Sequence, residues 1–416
     1  MRNEILKFPS KGGLLSAILI CCLSVVIASC DDAEGRIELN DAAPAKVTNV
    51  NAVAGPGEVT LSWTNPASSS FMYTKVEYTD AKGDEQYVLV SKERADENNV
   101  STATIKGFAN TEARTFALYA CSVRGNHEEA VEVSQAPGSP AFAEVVKTVT
   151  LEPVLGGVLV NYENSYASKV LIALEYQESG NAGKHGSVKF EAAPNSKGPQ
   201  LVMLTTDNNE FMSGECTVKV SAEDEYDNAS EPREMKVTPI PAVKIDRSAW
   251  SFPGYKADSN EGTIGYSSQE AIGEGDQDGL KNGRVVSMID GSLKTFWHAA
   301  WKNSGSDYPH WFILDMGREV TIASLELTAR QGNDKGQKGQ HIYTCSEAGA
   351  IDANNPDSWS WVDHGSFSFN PASDAPQAYG LVTTPKARYI KVYFGTEHKG
   401  SGSQAMLSDL NVYGAE

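Results

Sequence analysis

The residues best suited to chemistry in this 416-residue chain stand in "DGSLKTFWHAAWKNSG" and, further along, in "LTARQG". His298 offers an imidazole that can donate to or accept from a ligand hydroxyl. Trp301 follows three positions later and presents a flat apolar face on which the C–H side of a pyranose can stack. Arg330 carries a rigid fork of donors that suits two neighbouring hydroxyls. A few polar groups beside one aromatic surface describe a binding mouth for a hydroxyl-rich ligand such as a sugar. Bond cleavage would ask for more. Glycoside hydrolysis needs two carboxylates roughly 5–9.5 Å apart across a cleft. The 54 acidic residues form no recognisable catalytic block, no G-x-S-x-G elbow occurs, and no segment has barrel size. The chain therefore reads as a non-enzymatic binder. Trp297, Trp311 and Trp361 sit in strand-like or turn-anchoring blocks and read as core. Cys121, Cys216 and Cys345 lack metal-type spacing and read as small buried hydrophobes.

Strands must position these groups, because period-two alternation with turn residues at the breaks runs through the chain. In "ASLELTAR", Ala323, Leu325, Leu327 and Ala329 would face inward, with Ser324, Glu326, Thr328 and Arg330 outward. Arg330 would then leave the sheet at a strand end. "HWFILDMG", "ARYIKVYFG" and "MLSDLNVYG" read as further strands, and "YSSQEAIGEGDQDGLKNG" as an ordered loop or short helix. Residues 243–416 are thus expected to form an all-β jelly-roll sandwich. Upstream, "EVTLSWTNP", "YTKVEYTD" and "TFALYACSV" in residues 45–140 give a smaller antiparallel sandwich, with Leu61 and Trp63 on one face opposite Val76 and Tyr78. "KTVTLEP", "GGVLVNYEN" and "KVLIALEYQ" begin a repeat of that pattern over residues 141–242. Both of these resemble fibronectin type III domains, except that Phe116 stands where that family usually has Tyr. They read as spacers.

The blocks "SMIDGSLKTFWH", "PHWFILDMG", "ASLELTARQG" and "LSDLNVYG" come in order over the last part of the chain. They resemble the discoidin, or coagulation-factor C-type (F5/8 type C), family, and within it the galactose-binding-like carbohydrate modules. That resemblance implies a sugar site at His298, Trp301 and Arg330. It also implies a structural Ca²⁺ held by Asp290, Thr295 and Asp409, joining the two ends of the domain. Part of the family binds lipid or protein through the same loops, so an adhesive or structural protein contacting a protein partner is the alternative function.

The N-terminus completes the expectation. Arg2, Lys7 and Lys11 precede an uncharged run over residues 14–29, too short for a membrane span and suited to a signal peptide. Ala28-Ser29-Cys30 is similar to a bacterial lipobox, which implies cleavage before Cys30, its lipidation and attachment to the outer membrane. Residues 30–44 then read as an acidic tether. The net charge of −19 would repel phosphate backbones and argues against nucleic acid as a partner. The whole arrangement resembles surface lipoproteins of Bacteroidetes glycan-utilisation systems, which implies a glycan ligand, galactose-like sugars among the candidates, and other glycan-uptake proteins as partners.

Overall fold

The structure is a computed structural model that describes residues 40–302, 307–400 and 404–416. The expected leader, Cys30 and most of the tether lie outside the described residues. The three units downstream of the tether are all-β in class, as the alternation predicts.

In the first unit, a three-stranded sheet (Thr48–Gly55, Glu58–Thr64, Val100–Lys106) opposes a four-stranded one (Glu85–Ser91, Tyr73–Thr79, Arg114–Cys121, Val131–Gln135). Burial alternates strictly along Glu58–Thr64, which sends Val59, Leu61 and Trp63 into the core with Val76, Phe116 and Leu118. The indole Nε1 of Trp63 is satisfied inside that core by Asn65 Oδ1 and Thr74 Oγ1, each at 3.0 Å. Phe116 packs edge-on against Phe108 at 6.1 Å. An apolar ring fits there without a hydroxyl to satisfy.

The second unit repeats the pairing of a three-stranded and a four-stranded sheet, but it opens on a helix, Ala141–Thr148. The β-branched pair Val145-Val146 suggests a strand. The spacing of Ala141, Phe142, Val145 and Val146 is instead a helical stripe, and all four are buried. The strand begins only at Thr150.

The third unit is built on one 19-residue strand, His310–Thr328, where the sequence suggests two. Pairing with Lys386–Phe394 shifts register between Asp315 and Val320. Gly317 makes the bend possible: its φ is +76°, and a Cβ there would lie 2.9 Å from that of Ala249. After the bend the strand pairs with Asp409–Ala415 and Gln377–Gly380. One strand thus serves both layers around a core that includes Trp297, Phe312, Leu325 and Phe394.

A second register shift between Ile322 and Ser324 changes the expected facing. Leu325, Leu327 and Ala329 enter the jelly-roll core, whereas Ala323 joins Leu155, Met203 and Phe211 of the second unit. The outward residues Ser324, Glu326 and Thr328 are not solvated, being 0%, 4% and 1% exposed. The second unit covers Glu326: Asn209 Nδ2 donates to it at 3.1 Å, and the Phe211 ring lies 5.1 Å from Tyr413 beside it. Two-sided burial of a strand cannot be read from alternation, because both faces are then satisfied by neighbours distant in sequence.

Candidate functional site

The short strand Trp297–His298 pairs with Met406–Leu407, so the site is built where residues far apart in sequence meet. Trp297 is fully buried, with Nε1 donating to the Ser268 carbonyl at 3.0 Å and its ring packed on Phe312 and Phe394. Its core role agrees with the sequence reading and fixes the position of its neighbour. His298 is 4% exposed, and Nδ1 lies 2.6 Å from the Ala299 carbonyl oxygen. That contact assigns the proton to Nδ1 and leaves Nε2 as an acceptor. Burial, and secondarily the charge of Arg330, pushes the imidazole below its ordinary pKa, against the opposing pull of the Ala299 carbonyl and Glu274. His298 is neutral near pH 7.

Trp301 is 48% exposed, and its ring lies 6.5 Å from that of His298 in an edge arrangement. Arg330, half-buried, lays its guanidinium 3.8 Å over the Phe296 ring, and Nη1 reaches Met406 Sδ at 3.6 Å. Met406 is the strand partner of His298, so the guanidinium and the imidazole flank one residue. Among the described residues no carboxylate forms an ion pair with Arg330. Stacking on Phe296 and the contact with Met406 hold the guanidinium in place.

Two acidic residues missed by sequence reasoning complete the mouth. Glu274 Oε1 accepts from Trp301 Nε1 at 2.8 Å and lies 3.9 Å from His298 Nε2, so it sets the edge of the indole. Glu270 has no exposed surface and ties the loop together. Its carboxylate accepts from the backbone N–H groups of Ile272, Gly273, Trp301 and Lys302 at 2.7–3.2 Å, and from Asn260 Nδ2. Burial alone would raise its pKa, but the hydrogen bonds from Lys302, Trp301, Asn260 and Gly273 outweigh that and hold it below the ordinary carboxylate value. The local signal was "QEAIGE", a pair of acids in a loop, and nothing local distinguishes a buried acid from a solvated one.

Asp290, Thr295 and Asp409, the residues of the calcium expectation, each have hydrogen-bond partners within the domain. Thr295 Oγ1 donates to Asp290 Oδ2 at 2.7 Å, and Asp290 Oδ1 caps the Ser292 N–H. Asp409 is already neutralised: Arg247 Nη1 donates to Oδ1 at 2.7 Å and Asn411 Nδ2 to Oδ2 at 2.8 Å. The Arg247 guanidinium thus lies between Asp409 and the turn at Gly291, which follows Asp290. Among the described residues no group of three or more His, Cys, Asp or Glu suits a metal. The ends of the domain are joined by Arg247–Asp409 and by Val243–Lys244 pairing with Asp409–Ala415.

Trp311 and Trp361, expected as core, are half-buried on the outer sheet face beside Ile313, Cys345 and Trp359. Lys391 Nζ sits 5.4 and 5.8 Å over their rings. Cys121, Cys216 and Cys345 are free and buried as expected, and burial raises each thiol pKa.

Residues 267–407, which hold the whole mouth, match the F5/8 type C domain. The C-terminal unit is an F5/8 type C jelly-roll. Residues 44–137, read from sequence as similar to fibronectin type III, match a domain of unknown function, DUF4959. A sialidase of Micromonospora viridifaciens is 32% identical over 136 residues, which is 32% of this chain. The chain spans 19% of the length of that curated relative. Among solved structures, the C-terminal domain of a chitobiase from Bacteroides fragilis is 27% identical, with 42% of this chain and 98% of that one covered at a TM-score of 0.33. A family 32 carbohydrate-binding module from C. perfringens NanJ, in complex with galactose, is 17% identical over 41% of this chain and 98% of its own, at a TM-score of 0.30. A SusE-like protein is 17% identical and covers 66% of this chain and 99% of its own, at a TM-score of 0.32.

Proposed function

We propose that the chain binds glycans without cleaving them, through the mouth of its F5/8 type C domain. The observation that carries this reading is the meeting of three unlike groups at one rim. An exposed indole, a neutral imidazole acceptor and a guanidinium with no carboxylate partner among the described residues stand around a loop clamped by Glu270. The indole stacks on the apolar side of a sugar, Arg330 donates to a pair of hydroxyls, and Nε2 of His298 accepts from another. Glu274 orients the indole and offers a second acceptor. One sugar on so open a rim binds weakly, with a Kd of about 1 mM corresponding to about −4.1 kcal/mol. Many copies on a surface would raise the apparent affinity by avidity.

The likeness of 136 residues of this chain to a segment of a sialidase supports a glycan ligand. We carry over the binding and not the hydrolysis, because the matched stretch is a small part of that enzyme. In the same reading, lipidation at Cys30 anchors the chain to the outer membrane, the two N-terminal β units hold the binding domain away from the bilayer, and other glycan-uptake proteins are its neighbours. Metabolic labelling with a radiolabelled fatty acid, lost in Cys30→Ala, tests the anchor. A glycan array probed with the wild-type chain, His298→Ala and Arg330→Ala tests the mouth. Signal lost in both variants supports the reading. Signal retained in both overturns the site, and no signal in the wild type favours an adhesive protein with a protein partner.

A further inference from the structure

A second concavity lies elsewhere on the jelly-roll, on the outer face of the sheet formed by Lys386–Phe394, Gly339–Cys345 and Val362–Ser368. Its volume is about 440 Å³, inside the roughly 300–1,000 Å³ range of small-molecule sites. Two glycines create it. A Cβ on Gly395 would meet nothing within 4 Å, and one on Gly339 would meet only the Phe367 carbonyl, at 3.4 Å. The hollow is thus missing side chain, floored by paired backbone.

Its walls have a specific chemistry. Of the lining residues, Tyr393 pairs with His341 and His341 with Ser366, and Trp311, the other partner of Tyr393, continues this row beyond the hollow across a fourth strand. Directly paired residues in antiparallel strands share a face. With strands about 4.8 Å apart, the row is about 14 Å long. All three rings are half-buried, and the His341 side chain keeps 39% of its surface exposed. Hydroxyl and imidazole groups alternate with the rings: His341 Nε2 meets Ser366 Oγ, and Nδ1 lies 3.3 Å from the Tyr343 hydroxyl. Lys338 and Glu397 stand on the rim, and Asp363 Oδ1 lies 3.6 Å from His341 Nδ1.

We propose that this hollow is a second sugar subsite, taking one neutral pyranose unit against Tyr393 and His341. The lining fits that chemistry and little else. The two carboxylates, Glu397 and Asp363, outnumber the one ammonium and disfavour an anion, while rings interleaved with hydroxyl and imidazole groups complement a ring that is apolar on one face and polar at its edge. The subsite uses no residue of the His298 mouth and stands or falls without it.

The test is a proton NMR titration of the full chain with galactose, mannose and N-acetylglucosamine, read at the His341 ring protons assigned with His341→Asn. The expected result is a saturable His341 shift with at least one sugar, unchanged in Arg330→Ala and weakened tenfold or more in Gly395→Gln. That substitution fills the hollow where a side chain meets no neighbour, so the fold should survive it, and an unchanged amide proton spectrum elsewhere checks that it does. A His341 shift that persists in Gly395→Gln, one that vanishes in Arg330→Ala, or none with any of the three sugars overturns the subsite.

Discussion

Glu270→Gln keeps the size of the side chain and removes one of its two acceptor oxygens. In the structure, Oε2 accepts from the N–H groups of Trp301 and Lys302 at 2.9 and 2.8 Å, and Oε1 from those of Ile272 and Gly273 at 3.2 and 2.7 Å. Whichever way the amide is turned, its NH₂ faces two backbone donors. Each buried donor left without a partner costs about 1–3 kcal/mol, so the expected loss is about 2–6 kcal/mol. A domain stable by about 5–15 kcal/mol survives most of that range. The loop loses its clamp, however, and with it the register between Glu274 and the Trp301 indole. We expect urea denaturation to show a destabilised but folded protein, and galactose titration by tryptophan fluorescence to show affinity reduced at least tenfold. A change in stability below about 0.5 kcal/mol, typical of an unremarkable surface site, would refute the clamp. So would full affinity at reduced stability. The same carboxylate predicts a pH dependence. Its folded pKa is depressed, so its stabilisation is complete above the unfolded-state value of about 4.3 and fades as pH falls through the lower folded value. In the Gln variant that acid-side loss should shrink.

Other expectations rest on the same geometry. Because burial lowers the His298 pKa, Nε2 stays an acceptor at mildly acidic pH; glycan affinity should hold from pH 8 to about 6.5, the unperturbed histidine value, and decline only below it, and an inflection above that point contradicts the assignment. Trp301→Ala, at an exposed position, should change stability by less than about 0.5 kcal/mol and abolish binding, whereas Trp297→Ala in the core should cost about 3–5 kcal/mol by thermal or urea unfolding. EDTA or added Ca²⁺ should leave the melting temperature unchanged, while Arg247→Ala should lower stability by about 1–3 kcal/mol by stranding the partly buried Asp409 carboxylate. A melting temperature raised several degrees by Ca²⁺ would restore the ion to that place.

The part of this fold written in the residues is local and periodic. Alternation in "EVTLSWT" named the β class and put Val59, Leu61 and Trp63 inside, because a strand's pleat sends every second side chain to one face. Residue chemistry together with the resemblance to the discoidin family singled out His298, Trp301 and Arg330. Tertiary structure decided everything that depends on which distant residue arrives next to which. Glu270 became a buried clamp because its N–H partners at Trp301 and Lys302 lie more than thirty positions away. Glu326 became interior because Asn209 of another unit covers it, and Asp409 was neutralised by Arg247 from the far end of the domain. A carboxylate reads the same in sequence whether water or a guanidinium faces it; only the fold supplies its partner, and with it its charge state, its burial and its role.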